Sequence, residues 1–491
     1  MSEAQRSAPV GATQEFSDFA SLLEREFKPK SDKAREAVQT AVQTLAEQAL
    51  AGTATVSDDV LRTIEQMINA IDAKLTEQVN LIIHHEDFQA LESAWRGLHY
   101  LVNNTETDET LKIKVFNISK KEMGRTLKKF RGTAWDQSPI FKKVYEEEFG
   151  QFGGEPFGLL VGDYYFDHGP QDVQLLGDLA QIAAGAHAPF LAAANPTVMQ
   201  MESWSELSNP RDLTKIFQTP EYAAWRSLRE SEDSRYLGLT MPRFLARLPY
   251  GAKTEPVEEF AFEEDTSAPE SAGYTWANSA YAMATNITRA FKLYGWTTQI
   301  RGIESGGAVE GLPAHTFPTD DGGVAMQCPT EIAISDRREA ELAKSGFMPL
   351  IHKKNSDFAA FIGAQSLQKP QEYDDPAATA NANLAARLPY LFASCRFAHY
   401  LKCMVRDKIG SSMTKSQLQT WLQNWVNLYI DGSPGSSSDE YKATHPLADG
   451  TVLIEEDESN PGYYSSKIFL KPHYQLEGLT VSLRLVSRMP K

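Results

Sequence analysis

FGLLVGDYYF, residues 157–166, is the stretch that decides the fold. Its apolar run is almost continuous, the pattern of a strand covered on both faces rather than one half-exposed to water. A helix is expected next, over about 171–186, and then a second apolar strand in PFLAAA at 189–194. Strands alternating with helices read as a mixed α/β fold.

Upstream, LKIKVFNI at 111–118 alternates like a strand, and Ser119 with Glu122 forms a capping box that opens the next helix. Ser138 and Pro139 start a further helix that ends at Gly150. Before residue 110 the pattern is helical only. Ile64, Ile68, Ile71, Leu75, Val79 and Ile82 recur at steps of three and four, as do Phe88, Leu91, Trp95, Leu98 and Val102. Such stripes are seams for helix packing, within this chain or against another. A helix over 32–51 carries Ala34, Val38, Ala41 and Leu45 on one stripe. Earlier still, Phe16, Phe19, Leu22, Leu23 and Phe27 form a short amphipathic segment between a small, polar start and Pro29.

Downstream, Thr219 and Pro220 start a helix, and the acidic stretch 251–273 reads as a solvated loop or a domain boundary. A helix with Tyr281, Ile287 and Phe291 leads to the glycine-rich RGIESGGAVEGLP, a strand near Ile332 and a helix over 336–345. PAATANANLAARLPY begins a helical region ending near Gly410, and QLQTWLQNWVNLYI forms another helix. DGSPGSSSDE is a loop before the terminal segment. There YYSSKIFLK, a break at Pro472, and LTVSLRLVSR write two strands, with Leu479, Val481, Leu483 and Leu485 alternating with polar residues. A lone hairpin is marginally stable and leaves its outer edges unpaired. Either the pair packs inside its own domain, or a strand of another chain completes it, and a heterologous contact of that kind propagates as a ring or helix.

A length of 491 residues, 42% hydrophobic and 23% charged, is ordinary for a globular chain of several domains. The net charge of -17 argues against a general nucleic-acid or anionic-membrane binder. Cys328, Cys395 and Cys403 make no metal or disulfide framework and suggest a reducing compartment. Cys395 and Cys403, eight apart on one helix face, are expected to be buried. The start of the chain shows no signal peptide, and the apolar stretch 182–194 is too short to span a bilayer, so a cytoplasmic location is expected.

Phosphate-loop, dinucleotide, zinc-protease and serine-hydrolase motifs are absent from the sequence, so neither a cofactor nor a metal is expected. The best enzyme-like group is Asp163, Asp167 and His168, just past the apolar strand, where open α/β sheets hold ligands. The same carboxylates suit a capping or loop-amide role, which is the commoner use. His84-His85-Glu86-Asp87 reads as a solvated face.

Six segments, EDFQALESAWRGLHYLV, LKIKVFNISKKEM, PFGLLVGDYYFDH, GDLAQIAAGAHAPFLAAANP, YLGLTMPRFLARLPYG and LKPHYQLEGLTVSLRLVSR, together resemble the large subunit of the type VI secretion contractile sheath, the TssC/VipB family. The resemblance runs from about Phe16 to the last residues. It implies a structural subunit, not an enzyme, that pairs with a small subunit (TssB/VipA) and polymerises with neighbouring protomers into a helical tube. That tube surrounds an inner tube (Hcp), stands on a baseplate and, on contraction, drives the inner tube into a target cell. It is then dismantled by an AAA+ unfoldase (ClpV).

The resemblance also implies a tail-sheath-like domain plan. A flexible N-terminus with an amphipathic helix covers 1–31, a helical region for the small subunit 32–110, central α/β domains 111–375, and a C-terminal sheath domain 376–491. In related sheaths the terminal hairpin takes strands from neighbours, which assigns inter-protomer pairing to Ile468, Leu470, Leu479, Val481, Leu483 and Leu485. Small-subunit packing falls to Ile68, Ile71, Leu75, Leu91, Trp95 and Leu98. Unfoldase recognition falls to Phe16, Phe19, Leu22, Leu23 and Phe27.

Overall fold

The computed structural model describes residues 60–209, 212–268, 271–319, 321–456, 464–473 and 475. The expected helices at 16–27 and 32–51 and the expected strand at 479–485 lie outside these residues. Two units are described separately. The first holds helix α1 (Val60–Ile83) and residues 250–264; Asn80 Nδ2 donates to the Glu263 carbonyl at 3.0 Å, and the Ala261 N–H to Asp72 Oδ2 at 3.4 Å. The elements that follow belong to the second unit.

Its longer elements are α2 (Glu86–Asn103), α3 (Lys120–Lys128), β1 (Leu160–Phe166), α4 (Pro170–Ala186), β2 (Phe190–Ala194), β3 (Leu237–Met241), α5 (Ser279–Tyr294), β4 (Ala308–Val309), α6 (Asp336–Lys344), β5 (Phe347–His352) and β6 (Ala359–Phe361). These are followed by α7 (Pro376–Ala385), α8 (Leu388–Lys408), α9 (Lys415–Asn427), α10 (Asp439–Thr444), β7 (Leu447–Glu456) and β8 (Tyr464–Pro472). Six strands form one sheet in the order β1-β2-β3-β5-β6-β4. The first four run parallel and the last two join antiparallel.

Side chains alternate across this sheet with the two-residue period of a strand. Phe190, Ala192 and Ala194 face one core together with Leu176, Leu179 and Ile182 of α4, whereas Leu191 faces a second core with Met283 and Ile287 of α5 and Leu388 and Phe392 of α8. Both faces are covered, which is why β1 and β2 read as apolar runs. The helices start and stop on local signals: Ser119 accepts from the Glu122 N–H, Asn278 from that of Ala280, and Gly295 closes α5 in the left-handed region at φ 74°.

Four expectations are corrected. Residues 112–119 form no described strand, although Ser119 caps α3 as expected. The strand near Ile332 reduces to one bridge between Phe244 and Thr330; Pro329 has no N–H to extend it, only a carbonyl that accepts from Leu245. Cys395 is buried but Cys403 is half-buried, in contact with Arg406. Finally, a strand and a helix stand where only a loop was expected before YYSSKIFLK: α10, and then β7, which pairs antiparallel with β8 from Glu456↔Tyr464 to Leu447↔Pro472.

Candidate assembly surfaces

Helix α2 is held by one face, and its other face is exposed among the described residues. On the held face the Glu92 carboxylate accepts from Arg247 Nε and Nη2, at 2.6 and 3.2 Å, with Arg96 at 2.7 Å and Thr275 at 3.0 Å. Burial pushes the Glu92 carboxyl up, but Arg247 and Arg96 outweigh it and hold the group below its usual range. Ser93 donates to the Trp276 carbonyl at 2.6 Å. Gly97 lies against the Tyr281 ring of α5 so closely that a Cβ would overlap it. The opposite face presents Leu91 and Trp95, the latter 67% exposed, with Val102 further along, while Leu98 is half-buried. In the other unit, Ile68, Ile71 and Leu75 of α1 are exposed.

The C-terminal hairpin has two unlike edges. Along β7, the Gln423 side chain of α9 stands in for a strand: its Oε1 accepts from the Val452 N–H and its Nε2 donates to the Gly450 carbonyl, both at 2.8 Å. Gln419 accepts from the Ile454 N–H at 3.4 Å. Along the outer edge of β8, no strand among the described residues pairs at all. Ile468 and Leu470 turn inward onto a core of Phe397, Leu422, Val426, Val452 and Ile454, while Phe469 between them is 59% exposed.

Beyond β8, Gln475 pins the chain. Its N–H donates to Tyr390 Oη at 2.9 Å, its Nε2 to the Thr298 carbonyl at 2.9 Å, and its Oε1 accepts from Arg301 Nε at 2.8 Å. The remaining expected pairing residues, Leu479, Val481, Leu483 and Leu485, and all five expected unfoldase contacts, lie outside the described residues.

The enzyme-like group is dispersed. Asp163 accepts from Asn278 Nδ2 at 3.2 Å, and burial raises its pKa. Asp167 accepts from the Gly169 N–H at 2.6 Å and so shapes the start of α4. His168 meets the Thr197 carbonyl at 3.1 Å and stacks on Tyr222, ring centres 4.3 Å apart. Each side chain is engaged in a different structural contact. His85 caps α2, its Nδ1 accepting from the Asp87 N–H.

Sequence reasoning missed β7 and its two glutamines. The alternation of Val452 and Ile454 was the signal for the strand, masked by the Gly and Asp before it and the acidic run after it. Nothing in the local sequence marks Gln419 and Gln423 as edge caps.

The EvpB/VC_A0108 tail-sheath N-terminal domain family (VipB) matches residues 65–368, and its gpW/gp25-like domain family matches 377–489. The type VI secretion system sheath protein TssC1 of Pseudomonas aeruginosa is 75% identical over 478 residues, covering 97% of this chain and 96% of that one. This chain belongs to the type VI secretion contractile-sheath family, as its large subunit. Among solved structures, the anti-feeding prophage baseplate aligns with 78% of this chain and 84% of its own at 12% identity and a TM-score of 0.38. A contracted sheath complex of an extracellular contractile injection system aligns with 63% and 68% at 10% identity and a TM-score of 0.33. The sheath family is a structural one, and in this TssC/VipB member the exposed apolar face of α2 and the unpaired edge of β8 are the candidate assembly surfaces among the described residues.

Proposed function

We propose that this sheath subunit pairs with a small sheath subunit (TssB/VipA), joins neighbouring protomers through its C-terminal hairpin, and surrounds an inner tube (Hcp) on a baseplate in the bacterial cytoplasm. Contraction of the tube drives the inner tube outward without catalysis by this chain. Among the described residues no helix is long and apolar enough to cross a membrane. The observation that carries the reading is the pair of unlike hairpin edges: among the described residues Gln423 and Gln419 close β7, and the outer edge of β8 is left for a further strand. Residues 479–485, with their strand alternation, are the segment to be exchanged there, and 376–491 is the part that builds the tube wall. The stripes of α1 and α2 take the small subunit, Ile68, Ile71 and Leu75 on one and Leu91, Trp95 and Leu98 on the other. The segment Phe16–Phe27 is the signal read by the unfoldase (ClpV).

Electron microscopy of cells co-expressing both subunits tests this. Deleting residues 473–491, or replacing Val481 and Leu483 with Asp, leaves a soluble heterodimer and no tubules; normal tubules from either variant contradict the role of the 479–485 segment. In the same assay with the unfoldase present, Phe19→Ala with Leu23→Ala leaves contracted tubules uncleared, and clearance at the normal rate removes the recognition role.

A further inference from the structure

Residues 112–118, KIKVFNI, have the side-chain arrangement of a strand and no strand to pair with. Ile113 turns to the core that holds Leu101, Tyr281, Leu159 and Val161, and Ile118 to the opposite core with Phe166 and Leu176. Five residues apart, they face opposite sides, as on a strand. The segment advances alongside β1, since Ile113 packs on the same cluster as Val161 and the Ile118 carbonyl accepts from Tyr164 Oη at 2.7 Å. Yet none of the backbone groups of 112–118 bonds to another backbone group among the described residues, and β1 itself pairs only with β2. Apart from the Ile118 carbonyl, which Tyr164 holds, a row of strand donors and acceptors is therefore without backbone partners among the described residues, next to Val115 and Phe116, which are 69% and 54% exposed.

Charge says what fits there. Between residues 112 and 131 the sequence carries eight Lys or Arg against one acidic residue, Glu122, in a chain of net charge -17. Lys112 and Lys114 are held by Glu155 and Glu148, but the exposed Lys121, Arg125, Lys128 and Lys129 on and beside α3 make no ion pair among the described residues. The chain's own alternating segment, LTVSLRLVSR, brings two arginines and no carboxylate, so a second copy offers the wrong charge.

We infer that 112–118 is a docking strand for a different polypeptide of the assembly, which ladders on its backbone with an extended segment alternating apolar residues and places carboxylates against α3. This deepens the sheath reading and rests on it. Hydrogen–deuterium exchange on the full chain as co-purified with its small partner tests it directly. Amides of 113–118 exchange at least 100-fold slower than unstructured rates if a strand covers them, and exchange at those rates overturns the inference. Carbodiimide cross-linking of the same complex joins Lys121 or Lys128 to carboxylates of the other polypeptide; joining to a second copy of this chain overturns it. Val115→Pro removes a ladder donor and lowers the co-purified partner at least 10-fold, while normal recovery of partner counts against it; if that variant does not fold, exchange and cross-linking of the unaltered chain decide. Tubules that form with 113–118 exchanging freely defeat this inference alone. A chain that forms tubules with no partner defeats the proposed pairing with a small subunit instead.

Discussion

His399 shows how much one buried side chain is asked to do in this molecule. It is 2% exposed on α8, its Nε2 donates to the Ala186 carbonyl at 2.9 Å, and its ring packs edge-on against Phe149 at 4.8 Å. Burial, with Arg396, His187 and Lys402 close by, pushes its pKa down to about 4. The folded chain therefore binds fewer protons here than the unfolded chain between about 6.5 and 4. Stability is fully present above that window and falls as pH drops through it, by up to about 3 kcal/mol. Urea midpoints of the co-purified complex should decline from pH 6.5 to 4, and His399→Gln, which keeps a donor for Ala186, should flatten the decline; an unchanged slope in the variant assigns the effect elsewhere. At this scale the sequence was partly legible. Asp167 bonds an amide two residues on, the local role its position suggests, whereas Asp163 reaches Asn278, which no local pattern could foretell.

Among the elements, α9 and β7 make the sharpest case. Gln423 accepts from Val452 and donates to Gly450 as well as to Asn427, so replacing Gln423 and Gln419 with Leu leaves buried strand groups without partners. A loss of about 1–3 kcal/mol is expected in the unfolding of the C-terminal helices and hairpin, with new association through the freed edge. Denaturation followed by tryptophan fluorescence, together with light scattering, checks both; unchanged stability and size would show that β7 is closed by something else. Helices here were readable because their periodicity is local: α2, α4, α5, α8 and α9 stand where apolar spacing and caps put them. Strands were readable where burial on two faces left a continuous apolar run, as in β1 and β2. They were not where pairing depends on distant chain. LKIKVFNI carries the alternation but no ladder, and β7 has a ladder behind an acidic, glycine-containing disguise.

Taken whole, the second unit is an α/β body with both sheet faces filled and a bare apolar helix face left over. Leu91, Trp95 and Val102 on α2 make an exposed apolar stripe of the kind that marks an association surface. Expressed alone, the protein should aggregate or recover poorly, and co-expression with the small subunit should restore soluble complex; a well-behaved monomer by sedimentation would count against an obligate partner. The mixed α/β architecture and the family were both legible before any coordinates, because six long segments and two apolar strands carry them. Which face stays bare was not, since a helical stripe looks the same whether its mate is in the chain or outside it.

The ring cluster behind the hairpin has a mechanical consequence. Trp296, two residues past the end of α5, stacks on Phe397 of α8 at 4.3 Å and meets Tyr429 edge-on at 5.0 Å, in the same core that seats Val452 and Ile468. There is no slack tether between the hairpin and the α/β body. A neighbour that tugs on β8 therefore pulls on interlocked aromatic rings, and through them on α5 and α8, so the tension is delivered to the rigid body as a whole. Under the proposed strand exchange, a tube made of such blocks shortens by blocks tilting past one another, with the give confined to the exchanged strands.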